Sequence, residues 1–141
     1  IWKSLKSESL PLDNGGNASR DFIFVEDMVR GLIACACNGD PGEAYNLASG
    51  KETTILDLAK LINRITNNKT PLDIKPARDW DRSGRRFGSI DKAANKLGFH
   101  AKIDIEIGLE RTIKWTQENK FLIGATISKH DLMMRQLEAK I

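Results

Sequence analysis

Several kinds of chemistry are nearly absent from this 141-residue sequence. It has two cysteines, Cys35 and Cys37, set two apart in an apolar stretch. A helix would point them about 200° apart, which is unsuited to a bond between them, so a reduced, cytoplasmic setting is expected. The two histidines, His100 and His130, stand alone without metal-ligand spacing, and no metal site is expected. No apolar run approaches the roughly 20 residues of a membrane-spanning helix, and no basic, apolar, small-residue opening of the secretory kind is present. A membrane partner is therefore not expected. Charge of one sign is also scarce: the net +3 comes from Lys and Arg mixed with Asp and Glu, which argues against a nucleic-acid footprint and confines any anion binding to a local site. Aromatics are few, and Trp2, Trp80 and Trp115 are too scattered for a stacking platform. Ile1 in place of methionine points to a processed chain or a fragment and leaves missing upstream sequence open.

With 40% hydrophobic and 29% charged residues, the composition is that of a folded domain rather than a disordered chain. The length amounts to about one domain, with a modest core. Ile1, Trp2 and Leu5 share one helical face. Leu10 to Leu12 reads as a short extended piece, followed by the turn-forming Asp13-Asn14-Gly15-Gly16-Asn17 and a strand over Arg20 to Val25. Met28, Val29, Leu32, Ile33 and Ala36 predict a helix over Glu26 to Asn38, ended by Gly39, with almost every apolar position buried. Glu43 to Ala48 reads as a further strand, in which Tyr45 packs into the core. Thr54 and Asp57 resemble a capping box at the start of a helix reaching Thr66, with Ile55, Leu58, Leu61, Ile62 and Ile65 inward. Leu72 to Lys75 reads as a strand and Pro76 to Ser89 as a loop. Asp91 is expected to cap a helix closed at Gly98, and Asp104 a second one containing Ile107, Leu109, Ile113 and Trp115. Residues 121–141 read as a helical tail distinct from 1–120. Three short strands among helices imply an α/β arrangement whose sheet is too small to close a doubly wound core by itself.

The loop from Lys75 to Gly88 holds Arg78, Arg82, Arg85 and Arg86 within nine residues, with glycines that let backbone approach a ligand. Guanidinium groups suit paired phosphate oxygens because two parallel N–H bonds reach one group. Asp79 or Asp81 would either orient an arginine or accept hydrogen bonds from sugar hydroxyls. That mixture suits a nucleotide diphosphate. Spacing alone leaves an equal alternative, a solvated ion-pair loop with Asp79, Asp81 and Asp91. Arg20 taken alone reads as a structural arginine holding Asp21 or Asp27, and Trp80 as a residue able to flank a base or sugar.

Arg20-Asp21-Phe22-Ile23-Phe24-Val25-Glu26-Asp27 resembles the R-D-[FY]-hydrophobic-x-V-x-D signature of extended short-chain dehydrogenases/reductases, the NAD-dependent epimerases and dehydratases. The other pieces agree in order. Gly42 to Gly50 resembles that family's strand and turn, with Ala48 where glycine is commoner. Arg78-Asp79-Trp80-Asp81 resembles its R-x-x-D loop, Lys92-Ala93 through Leu97-Gly98-Phe99 its helix end, and Gly108-Leu109 with Trp115 its next helix. The resemblance runs from about Leu10 to Asn119.

What the resemblance implies is the C-terminal part of an extended Rossmann-type enzyme similar to UDP-glucose 4-epimerases and dTDP-glucose dehydratases. It would comprise a small substrate-binding lobe plus a helix and strand of the Rossmann sheet. Arg20 and Arg78 would contact the phosphates of a nucleotide-diphosphate sugar and Asp81 its ribose, with Arg85 and Arg86 as neighbouring candidates. NAD would bind to the parent enzyme, since the glycine-rich turn that receives its pyrophosphate is missing here. The Tyr-x-x-x-Lys pair is missing too: Tyr45 is the one tyrosine, and Ser49 stands four residues on. The partners implied are the nucleotide sugar, an N-terminal Rossmann portion and, by analogy, a second copy. A non-catalytic binding module on the same fold, taking RNA or protein, is the alternative.

Overall fold

In the computed structural model, residues 1–80 and 84–138 are described. The elements in chain order are α1 (Trp2–Leu5), β1 (Pro11–Asp13), a 3-10 turn (Asn14–Gly16), β2 (Ser19–Asp21), α2 (Val25–Asn38), β3 (Glu52–Thr54) and α3 (Ile55–Thr66). There follow β4 (Asp73–Lys75), β5 (Arg85–Arg86), α4 (Asp91–Leu97), α5 (Ile105–Glu118) and α6 (Lys120–Glu138). Two small sheets result. One pairs β1 with β4 in parallel, and the other runs β3-β2-β5, with β3 antiparallel and β5 parallel to β2.

The first of two cores forms where α3 lies against the β1-β4 pair. Leu10, Leu12, Ala59 and Ile62 are buried together, and Ile55, Leu56, Leu58, Leu72 and Leu109 close around them. Burying a residue such as Ile62 favours folding by about 1.5–3 kcal/mol. Both ends of α3 are satisfied. The Thr54 hydroxyl accepts the Asp57 N–H at 3.0 Å and donates to the Asp57 carboxylate at 2.6 Å, so the capping box is closed through the hydroxyl rather than the Thr54 backbone. Asn67 ends the helix with φ +57°. The buried Ser4 donates to Asn63 at 2.6 Å, tying α1 to the far end of α3. Gly16, at φ +74°, lets the turn approach α3 so closely that an added Cβ would lie 2.8 Å from the Leu56 backbone nitrogen.

The second core holds Ala93, Leu97 and Phe99 of α4 and its exit, packed with Ile23, Ala34, Cys35, Tyr45 and Leu47. Gly98, left-handed at φ +62°, ends α4, and the N–H groups of Gly98 and Phe99 reach back to Ala94 and Ala93. Asp91 is the first helical residue rather than the cap expected of it. Ser89 stands beyond it, accepting the Asp91 N–H at 3.2 Å and donating to the Asp91 carboxylate at 2.7 Å. Asp104 does cap α5, accepting the Glu106 N–H at 3.3 Å, and it also pairs with Lys51 at 2.6 Å.

Four expectations are corrected. The strand expected over Arg20 to Val25 is confined to Ser19–Asp21, because the chain turns into α2 at Val25. Glu43 to Ala48 forms no strand among the described residues, although Tyr45 and Leu47 still pack on the second core. β5 lies in the stretch read as a loop, and β3 ends on Thr54, read as a helix cap alone, since the pairing of both with β2 is non-local. Finally, α2 is not buried on every apolar position. Val25 is 64%, Leu32 57% and Ile33 59% exposed, while the helix buries Asp27 and Gly31 and packs through Ala34 and Cys35. The tail expected from 121 is helical, as α6, and carries Phe121 at 92% exposure.

Candidate functional site

Arg20 occupies the middle of β2, the middle strand of its sheet, so it is fixed on both sides. Opposite it stand Thr53 of β3 and Arg86 of β5. Side chains alternate along a strand, and paired residues of neighbouring strands share a face. Ser19, Glu52 and Arg85 therefore form one face, and their contacts agree: Arg85 donates Nε and Nη2 to the two Glu52 oxygens at 2.7 and 2.6 Å, while Ser19 Oγ donates to Glu52 Oε1 at 2.5 Å. These bonds, Arg85 first and Ser19 second, hold the Glu52 carboxyl below its ordinary value, and Glu52 in turn raises that of Arg85. Arg20 and Arg86 belong to the opposite face as adjacent like charges, an arrangement that is unfavourable without an anion or acceptor nearby. Arg20 Nη1 donates to the carbonyls of Ser19 at 2.6 Å and Gly84 at 3.1 Å. The guanidinium of Arg86 has no hydrogen-bond or ion-pair partner among the described residues.

Arg78 arrives by another route. The parallel pairing of β1 with β4 sets Asp13 opposite Lys75, and the Asn14 N–H reaches the Pro76 carbonyl at 3.4 Å, so the start of the arginine loop runs beside the Asp13-Asn14 turn. Arg78 forms an ion pair with Asp13, and its guanidinium lies 5.3 Å from the centre of the Trp80 ring. Asp13, Asn14, Ala18, Arg20, Arg78 and Gly84 line one cleft of about 170 Å³. Fifty-eight residues separate Arg20 from Arg78 in sequence, yet they face the same space.

The sequence-derived candidates thus divide. Arg20 and Arg78 are brought together. Arg86 lies on the Arg20 side of its sheet, whereas Arg85 is turned to the other side and engaged by Glu52. Asp81 and Arg82 lie outside the described residues. Of the ion pairs among the described residues, Asp13 takes Arg78 and Glu52 takes Arg85, while the Asp91 carboxylate accepts from Ser89; Asp81, which the ion-pair alternative also named, lies outside the described residues. Asp21 and Asp27, offered as holders of Arg20, have other work. Asp21 accepts the N–H groups of Ser49 and Gly50 at 2.7 and 2.8 Å, fixing the turn before β3. The fully buried Asp27 pairs with Arg30 and accepts the N–H groups of Lys102 and Ile103 at 3.0 and 2.8 Å. Sequence reasoning missed Asp13, Ser19 and Glu52. Asp13 gave a turn signal only, and Glu52 gave none, because its role depends on strands more than thirty residues apart.

Comparison with known proteins adds the decisive observation. The profile of the NAD dependent epimerase/dehydratase family matches residues 1–48. The crystal structure of the Bordetella bronchiseptica enzyme WbmF in complex with NAD+ and UDP superposes with a TM-score of 0.81 at 55% identity, over 92% of this chain and 38% of that one. The chain belongs, as a partial segment, to the NAD dependent epimerase/dehydratase family. Among curated members, UDP-glucose 4-epimerase 3 of Oryza sativa is 34% identical over 82% of this chain and 32% of its own length. dTDP-glucose 4,6-dehydratase of Escherichia coli is 29% identical over 84% and 35% respectively.

The chain spans between 18% and 35% of the first curated relatives it matches. Its mixed helix-and-sheet architecture is accordingly part of the extended Rossmann-type fold of this family's epimerases and dehydratases. Among the described residues no helix is long and apolar enough to cross a membrane, and no group of acids, cysteines and histidines could hold a metal ion.

Proposed function

We propose that this chain is the nucleotide-sugar-gripping part of an NAD-dependent nucleotide-sugar epimerase or dehydratase. Carrying this reading is the convergence of Arg20 and Arg78 on one cleft, with the backbone of Gly84 as its wall. Support comes from the 55% identity to an enzyme whose structure contains NAD+ and UDP. In the parent enzyme NAD would supply the redox chemistry on a sugar carried on a nucleotide diphosphate. The residues of this chain do the holding. Arg20, anchored by two carbonyls, and Arg78, oriented by Asp13, offer N–H donors to the diphosphate. Arg86 adds positive charge on the Arg20 side, Asp81 takes the ribose hydroxyls, and Trp80 flanks the base or sugar. Asp13 occupies part of the Arg78 fork, which leaves donors free for an anion because a guanidinium carries five.

NAD does not fit the residues present. Its pyrophosphate needs a glycine-rich turn opening a helix; α2 opens after Phe24 with Glu26 and Asp27 in its first turn, α3 opens directly after Glu52-Thr53-Thr54 with Asp57 in its own, and these acids repel an anion. No step is assigned to the cofactor within this chain. The exposed apolar side of α2 suits a position against the Rossmann sheet of the parent, with 121–141 as a separate helical tail.

Isothermal titration of the parent protein with UDP and UDP-glucose tests the reading. Arg78→Ala is expected to weaken both by about tenfold to a hundredfold, the loss of one or two charge-assisted bonds. Unchanged affinity in that variant would count against the assignment.

A further inference from the structure

The pair formed by Glu52 and Arg85 spans its whole sheet. Glu52 belongs to β3 and Arg85 to β5, and they meet diagonally across β2, since Glu52 stands opposite Asp21 and Arg85 opposite Ser19. From between them Ser19 of β2 donates to the same Glu52 oxygen, at 2.5 Å. The fork is bidentate, and the Arg85 guanidinium also lies 5.8 Å from the centre of the Phe87 ring. β5 is two residues long. So short a strand has few backbone bonds of its own, and the side-chain fork is a large part of what fixes it to β2. Immediately before it, Gly84 does two things for the cleft: its carbonyl accepts both the Ser19 N–H at 2.9 Å and Arg20 Nη1 at 3.1 Å, and its backbone forms one wall.

We infer that Glu52 and Arg85 form a latch that seats the Gly84–Arg86 segment on β2 and thereby sets the shape of the cleft between Arg20 and Arg78. Arg85 is then a positioning residue, not a ligand of the phosphates, and Glu52 joins the site without touching its occupant. This inference rests on the cleft being the nucleotide-diphosphate site. Two consequences separate it from the simpler idea of one more phosphate-binding arginine. Removing the Glu52 charge should weaken ligand binding, although that charge is negative. Loosening should also be visible in the protein without ligand, at the Ser19 amide.

The test uses the parent protein as wild type, Glu52→Gln, Arg85→Ala, the double variant, the charge-swapped Glu52→Arg/Arg85→Glu pair, and Arg78→Ala. UDP and NAD affinities are measured by isothermal titration, and exchange of the Ser19 amide by hydrogen–deuterium methods. The latch predicts that Glu52→Gln and Arg85→Ala each weaken UDP by about tenfold, as for losing a charge-assisted bond, and that the double variant is no weaker than either. Ser19 exchange is faster in all three, the swapped pair recovers part of the UDP affinity, and NAD affinity stays at the wild-type value, which a general loss of structure would not allow. Should Glu52→Gln bind UDP as tightly as wild type or more tightly while Arg85→Ala loses affinity, Arg85 is a direct ligand and the latch is overturned. Unchanged Ser19 exchange in both single variants overturns it as well. Wild-type affinity in Arg78→Ala counts instead against the nucleotide-diphosphate reading, and the exchange rates then decide the latch by themselves.

Discussion

α2 and α3 are helices of 14 and 12 residues with apolar positions at three- and four-residue steps, and they end in opposite circumstances. α3 closes its stripe on Leu10, Leu12, Leu72 and Leu109, with Ala59 and Ile62 buried and both ends capped. α2 has no side-chain cap at its start and leaves Val25, Val29, Leu32 and Ile33 largely exposed. It is held by a few small contacts on the second core and by one buried carboxylate, Asp27. Periodicity encodes which face of a helix is to be covered. Whether the cover lies in the same stretch of chain is a separate matter, and here one helix carries its own cover while the other leaves its apolar positions open among the described residues.

Substitutions can break that contrast. Asp27→Ala strands the N–H groups of Lys102 and Ile103 and detaches the start of α2 from the segment before α5, with an expected loss of about 4 kcal/mol in urea unfolding. Asp27→Asn, which keeps the shape, should lose less. Ile62→Ala should cost about 3 kcal/mol, whereas Leu32→Ala in this chain should cost under about 0.5 kcal/mol. Measured in the parent protein, Leu32→Ala should rise toward the Ile62 value if a sheet covers α2, which sharpens the comparison into a map of the covering surface. Thr54→Ala removes the α3 cap for about 1 kcal/mol, read as a lower unfolding midpoint.

The smallest effect is one of pH. The bond from Lys51, followed by the N–H of Glu106, holds the Asp104 carboxyl below its ordinary value. A depressed carboxyl contributes stability above the unfolded value of about 3.9 and loses it as pH falls through the lower folded value. Asp104→Asn should therefore be less stable than wild type at neutral pH and equal to it in strong acid, by an amount well below the Thr54 effect because Asp104 is exposed. Acid unfolding of the two proteins checks the sign.

Legibility in the sequence followed locality. α3 was readable because its period, its Thr54 cap and its stop all lie within a few residues. The α4 stop at Gly98 was equally local. β5 was not readable, since Arg85 and Arg86 become a strand only when β2 is alongside, and the same holds for Glu52. Tyr45 illustrates the reverse: its stretch has strand composition, but it pairs with no strand among the described residues and packs on the second core. At the site, residue type pointed to Arg20 and Arg78 through the family's motifs, and both line the cleft. Arg85, of the same type and a few residues away, faces elsewhere because a two-residue period reverses direction at every step.

The hydrogen bond from Arg20 to Gly84 closes a span of 64 residues. Closing a span of that length costs entropy that only later contacts return, so the cleft belongs to the slow, late part of assembly, after α3 has formed from local contacts. An anion seated between Arg20 and Arg78 would act as a clasp on the finished topology, favouring chains in which both distant segments have already met.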